Sequence, residues 1–280
     1  MAKKKNETTE NVLENIDSKQ YPSLILGLDI STSCIGISIV YDDGENEPEI
    51  VKITHIVPKI PSKIKGIEAL ILRKEIFERD FLSTIKDMGI TECVIESPLS
   101  YATGNSNVQT ISQLLQFNGL LCEAIYRVLH IVPYLISSYD ARMLSFPQLM
   151  SIRKFNKKGI AYPYKHITKA MNDNHLVLFG DFPFDCDKKD IMMNCVREKY
   201  PDIEWVYDAK GKLKKENFDA CDSLVCALAY ANKKRYGEFN PVVNEWQAGY
   251  NGDNDTTLIE YTMNVWGKEY KKQIFLDSVE

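Results

Sequence analysis

Four carboxylates stand where the surrounding residues are apolar or small. Asp29 ends the run LILGLD, where a strand buried on both faces would carry Val, Ile or Leu. Glu96 ends CVIE in the same way, directly before Ser97-Pro98. Asp219 and Asp222 lie at i and i+3 in NFDACDSLVCALAYA, so one helical face presents both. Each has a bland alternative. Asp29, followed by Ser31-Thr32-Ser33, can cap the backbone amides of a turn, and Glu96 can be a loop acid before proline. The Asp219/Asp222 pair in the first turn of a helix is favoured by the macrodipole without any further role. Taken together, two acids at strand ends and two on one helical face make an oxygen-rich site suited to Mg²⁺, with Mn²⁺ as a substitute. Two such ions about 3.5 to 4 Å apart could activate water and stabilise a leaving oxygen in phosphodiester hydrolysis.

The elements that must position these acids are readable from periodicity. LILGLD and CIGISIVYDDGE, with alternating Ile35, Ile37, Ile39 and Tyr41, form a β-hairpin closed at its far end by Asp43-Gly44, and Ile50 to Val57 is a third strand. Gly66 to Met88 carries Leu70, Phe77, Phe81 and Ile85 at helical spacing, with Gly89 at the stop position. ECVIESP is a short buried strand, Val108 to Leu129 a long helix, and Ile131 to Ser137 another strand. The order βββαβαβ predicts an α/β fold: a mixed sheet, its first three strands antiparallel and the later ones parallel, flanked by helices. Lys188 to Tyr200 and Phe218 to Tyr236 are further helices, the second with an apolar face of Cys221, Leu224, Val225 and Leu228 and a stop at Gly237.

Three stretches fall outside this frame. Residues 1–20 are polar and without aromatic residues, as in a disordered tail. The core then runs over 21–237, with an excursion at about 145–187 that is rich in Lys, aromatic residues and Pro. Beyond it, 238–280 forms a C-terminal extension with little clean period, suited to wrapping the core or to oligomerisation.

Composition narrows the class. With 280 residues, 44% hydrophobic and 26% charged, the chain can bury a large core, which excludes collagen-like and low-complexity readings. A net charge of −5 argues against a polybasic DNA coater, though not against an enzyme with basic residues gathered on one face. Seven cysteines form no C-x-x-C and have no His pair at zinc spacing, so neither a zinc site nor a disulfide framework is expected. Their scatter through apolar stretches fits a reducing cytoplasm, and no apolar run is long enough to span a membrane.

The run LGLDISTSCIGISIV, the strand VIESP, the pair Lys188-Lys189 opening a helix, and NFDACDSLVCALAYA, in this order, resemble the RuvC-type Holliday junction resolvases of the RNase H-like superfamily, particularly phage-borne members. The resemblance spans roughly residues 23 to 236. It implies that Asp29, Glu96, Asp219 and Asp222 are catalytic acids holding two Mg²⁺ ions, and that the chain is a homodimeric structure-selective endonuclease acting on branched DNA. The excursion at 145–187 is longer than the family's compact core requires, and the tail after Tyr236 has no counterpart in it.

DNA contacts follow from residue type. Lys188 and Lys189 resemble the family's basic element beside the active site. Tyr101, Asn105, Asn107 and Gln109 follow Glu96 in PLSYATGNSNVQT and are suited to touching bases or wedging into a junction. Lys157 and Lys158 lie in the basic and aromatic run RKFNKKGIAYPYKH, which can track a backbone and stack on exposed bases. Each also reads as ordinary solvated surface. Three other readings compete: an RNase H-like nuclease acting on RNA–DNA hybrids or on packaging and replication intermediates, a non-catalytic junction-binding protein, and an ATP-binding protein of the actin and sugar-kinase superfamily, whose first phosphate hairpin GLDIST also resembles. The last is disfavoured by the short chain and the lack of a second glycine-rich loop, so no nucleotide cofactor is expected.

Overall fold

The computed structural model describes residues 21–98, 108–152, 162–172, 178–180, 187–251 and 256–277. The expected tail at 1–20 lies outside them, as do Tyr101, Asn105, Asn107, Lys157 and Lys158.

The chain opens with β1 (Ser23–Ile30), β2 (Ile35–Asp42) and β3 (Glu49–Ile56), paired antiparallel. A tight turn joins β1 to β2: the Ser31 amide donates to the Cys34 carbonyl at 2.9 Å, and the Ser31 hydroxyl both donates to that carbonyl and accepts from the Cys34 amide. Asp43-Gly44 therefore belongs to the β2–β3 connection. There the Asp43 carboxylate accepts from the Glu45 and Asn46 amides, and Gly44 takes the left-handed conformation at φ +85°.

Helix α1 (Gly66–Phe77) passes through a π-helical turn, Glu78–Leu82, into α2 (Ser83–Ile85). The expected single helix to Met88 is thus interrupted. Hydroxyls compete with the backbone here: Ser83 Oγ donates to the Arg79 carbonyl at 2.6 Å and Thr84 Oγ1 to that of Phe81 at 2.7 Å. Then come β4 (Glu92–Glu96), α3 (Val108–Leu129) and β5 (Tyr134–Ile136). The last is shorter than the Ile131–Ser137 expectation, because Pro133 brings no amide donor to a ladder. β4 pairs parallel to β1, and β5 parallel to β4, giving the order β3-β2-β1-β4-β5. This is the expected mixed sheet flanked by helices.

Helix α4 (Ser138–Ser145) follows β5 at once, unforeseen from periodicity. Its cap was legible: Ser137 Oγ accepts from the Asp140 amide at 3.0 Å. The excursion contributes β6 (Met150–Ile152), α5 (Tyr164–Asn172) and β7 (Leu178–Gly180), with β6 and β7 antiparallel. Next are α6 (Lys188–Lys199) and α7 (Glu216–Tyr236), the latter followed by Gly237 at φ +80°. The extension is ordered as β8 (Val242–Asn251), β9 (Thr256–Val265) and β10 (Lys268–Asp277), a separate antiparallel sheet. The inward side chains of β9, Ile259, Tyr261, Met263 and Val265, pack with Ile167 and Met171 of α5 and with Met150. The period was hidden because β8 carries a bulge between Val243 and Glu245 and shows solvent most of its side chains.

Side-chain alternation divides the main sheet. Leu26, Leu28, Ile30, Ile35, Ile37 and Ile39 face α1 and α3, packing on Phe77, Phe81, Phe117 and Leu121. Ile25, Val40, Val94 and Ile136 face α4, α6 and α7. On that second face Gly27 and Gly36 replace bulk, letting α7 lie directly on the hairpin. A Cβ on Gly36 would stand 1.9 Å from the Asp219 carbonyl oxygen, and one on Gly27 2.3 Å from that of Ser223. Small residues on α7, among them Ala220, Ser223, Ala227 and Ala231, complete the close fit, and the helix is buried almost all round.

Candidate metal centre

Asp29 shares the parity of Ile25 and Gly27, so it points to the α7 side. Glu96 shares the parity of Val94 and does the same. Because β1 and β4 run parallel, with Leu28 opposite Ile95, their carboxyl ends meet at one edge. Asp29 itself sits opposite Gly36, the residue against which the first turn of α7 rests. These placements bring Asp29, Glu96 and Asp222 together: each offers a carboxylate oxygen within 4.8 Å of the other two. Hard oxygen donors at this separation suit Mg²⁺ or Mn²⁺, so the residues present fit such an ion.

Asp219 differs. It lies in the first turn of α7, which starts at Glu216 rather than Phe218, while Asp222 is in the second turn and buried. Asp219 is absent from the group of three and borders an open cleft of about 380 Å³, shared with Ser31, Cys34, Lys189 and Lys215.

The electrostatics of the three acids are those of a site short of positive charge. Burial, then repulsion from Glu96, Asp222 and Asp219, pushes the Asp29 carboxyl well above the usual range. Burial and the Asp222 charge carry Glu96 to about 7. Asp222 is raised by burial although Lys189 and Arg142 oppose it. Desolvation and like charge thus act together, a combination common at functional sites. Lys189 pairs with the α7 acids: its Nζ lies 3.1 Å from Asp222 Oδ2 and 3.7 Å from Asp219 Oδ1. Although burial lowers its pKa, attraction to Asp222 and Asp29 raises it overall.

The other residues marked in the sequence fall as follows. Lys188 is on the exposed surface at the start of α6, and Gln109 is exposed in the first turn of α3. Asp187 caps α6, its Oδ1 accepting from the Lys189 amide at 2.9 Å, which gives this acid a structural task. Cys34 and Cys226 are buried thiols, as expected for packing residues, and burial raises both above their ordinary values. All six described cysteines are free.

Arg142 was not anticipated. It sits on α4, which begins where the Ser97 amide donates to the Ile136 carbonyl at 2.7 Å, beside Glu96. Its charge opposes the rise at both Glu96 and Asp222. The Ser137-x-x-Asp140 cap was the signal that would have revealed its helix.

Among the described residues no helix is long and apolar enough to cross a membrane. No family model and no curated protein sequence matches the chain. Solved structures are similar at low identity. Thermus thermophilus RuvC aligns at 12% identity and TM-score 0.45, covering 76% of this chain and 96% of that one. The same protein in complex with a Holliday junction substrate gives 12% and 0.47, covering 77% and 96%. The yeast mitochondrial Holliday junction resolvase Ydc2 gives 12% and 0.43, covering 78% and 82%. The likeness is one of chain path at low similarity, and the chemistry assigned to this chain rests on its own acid cluster.

Proposed function

We propose that the chain is a metal-dependent, structure-selective DNA endonuclease that hydrolyses phosphodiester bonds at four-way or related branched DNA. The observation that carries this reading is the convergence of Asp29, Glu96 and Asp222 from two parallel strand ends and a helix, with Asp219 one turn away. The RuvC-like motifs in the sequence supply the choice of substrate.

In this reading Asp29, Glu96 and Asp222 hold Mg²⁺, with Asp219 at the open side of the site. The bound metal would supply the positive charge that activates water and stabilises the leaving oxygen. The chain's own residues do the rest. Gly27 and Gly36 set the depth of α7, and hence the separation of the acids. Lys188 and Lys189 meet phosphates. The segment after Glu96, with Tyr101, Asn105, Asn107 and Gln109, and the run with Lys157 and Lys158 approach the DNA arms. A homodimer would place two sites on one junction and give paired nicks with 5′-phosphate and 3′-hydroxyl ends. Residues 21–237 form the nuclease domain and 238–280 its extension, working in a reducing cytoplasm.

The test is incubation of the purified chain with a labelled four-way junction and the matching linear duplex, in Mg²⁺ or EDTA, beside Asp222→Asn. Paired symmetrical nicks on the junction, lost with EDTA and in the variant, are expected. Full activity in Asp222→Asn would refute the site, and equal cleavage of the linear duplex would refute the substrate.

A further inference from the structure

We propose that Lys189 is the resident counter-ion of the acid cluster, an ammonium that must leave Asp222 before the site holds a divalent ion and that is then released toward the substrate strand. This deepens the metal-centre reading above and rests on it.

Asp222 is buried, its side chain 6% exposed, whereas the side chain of Lys189 is 46% exposed. The lysine therefore reaches the acid from the open side, and its ammonium stands between solvent and the buried oxygens. Its Nζ is 3.1 Å from Asp222 Oδ2 and 3.7 Å from Asp219 Oδ1, tying together two acids one helical turn apart. It also lines an open cleft of about 380 Å³, whose other charged residues are Asp187, Asp190, Glu216, Asp219 and Lys215.

Two like charges cannot share this position cheaply. A divalent ion coordinated by Asp222 would lie within a few ångströms of the ammonium, in a partly desolvated site where Coulomb repulsion is weakly screened. Asp222 Oδ2 can serve the ammonium or the divalent ion, but not both. The Lys189 backbone is held by the Asp187 cap through the amide hydrogen bond of 2.9 Å, and a lysine has a four-carbon stem on which its ammonium can swing to a new partner. A phosphodiester in the cleft offers the displaced ammonium a new anionic partner. Metal and DNA then favour each other's binding, because each removes part of the cost of the other. Without DNA the lysine holds metal affinity down, which restrains the nuclease away from its substrate.

The experiment is calorimetric titration of Mn²⁺ into the full chain without DNA, for wild type, Lys189→Met, Lys189→Arg and Asp222→Asn. Lys189→Met should bind Mn²⁺ at least tenfold more tightly than wild type, Lys189→Arg like wild type, and Asp222→Asn more weakly. Affinity of Lys189→Met within twofold of wild type, or weaker, overturns the exchange. Equal binding by wild type and Asp222→Asn overturns the metal centre itself, so the two failures are told apart. Should Lys189→Met not fold, Lys189→Gln takes its place. A second titration uses wild type with and without a short single-stranded oligonucleotide: severalfold tighter Mn²⁺ binding with DNA supports the release step, and unchanged binding overturns it.

Discussion

The two ends of the main sheet treat a buried acid in opposite ways. At one end Asp42, fully buried at the close of β2, accepts at Oδ1 from Arg235 Nε at 2.8 Å and from the Gly44 amide at 2.9 Å. Arg235 is itself 6% exposed, so acid and base neutralise each other inside the chain. At the other end three carboxylates crowd together and repel, with Lys189 paired to only one of them and Asp219 competing for it. A buried acid matched within the fold is an architectural group. Acids crowded together and left short of positive charge cost the fold stability, and a bound divalent ion, as proposed above, would relieve that cost.

The largest expected effects separate these ends. Asp29→Asn should lower junction cleavage by at least a thousandfold while raising the melting temperature in EDTA, since it removes a repelling charge. Asp42→Ala should do the reverse, costing about 3 kcal/mol because the buried Arg235 loses its Asp42 carboxylate, and leaving activity per folded molecule intact. Denaturant melts and single-turnover cleavage on both variants check the contrast. A destabilised Asp29→Asn would break it.

Next in size is the glycine contact. Gly36→Ala places a methyl against the Asp219 carbonyl and must displace either β2 or α7. Mn²⁺ affinity should fall at least tenfold at temperatures where circular dichroism shows the helices intact. Unchanged affinity in folded protein would mean that the acids do not depend on the depth of α7.

A smaller effect concerns pH. Glu96 keeps its proton up to about 7 when folded, against the ordinary carboxylate range when unfolded, so the folded state binds the proton more tightly. The stability this provides is full below the ordinary range and is lost as pH rises through about 7. Melting temperatures in EDTA should therefore decline from about pH 5 to about pH 8, and Mg²⁺ should lessen the decline. Smallest is the exposed Glu47–Lys199 pair at 2.8 Å, where Glu47→Gln should change stability by less than about 1 kcal/mol in a denaturant melt, in contrast to Asp42.

Much of this was legible in the residues. β1, β2 and β4 show themselves as apolar runs, α3 by its period, and the three clustered acids as charges misplaced in those runs. The finer geometry was not. Asp219 and Asp222 share a helical face, yet Asp222 is buried while Asp219 borders the open cleft, and sequence spacing is blind to depth. In the sequence Lys189 reads as a basic element beside the site or as solvated surface, because an ion pair formed across α6 and α7 leaves no local trace. Helix α4 hid behind a short strand, and β8 to β10 behind a bulged edge with exposed side chains. The depth of Asp222 and the pairing of Lys189 depend on tertiary partners, whereas α4 carries a local signal in its Ser137 cap.

The bare backbone contact between α7 and the hairpin has a consequence for how this molecule can change over time. The spacing of the acids is gauged by peptide groups at Gly27 and Gly36, with no side chain between them to be exchanged. Leu26, Leu28 and Ile37 on the opposite face can drift among aliphatic residues while α1 and α3 resettle, and the gap at the site stays the same. One side of a single sheet is free to diverge while the other is held still.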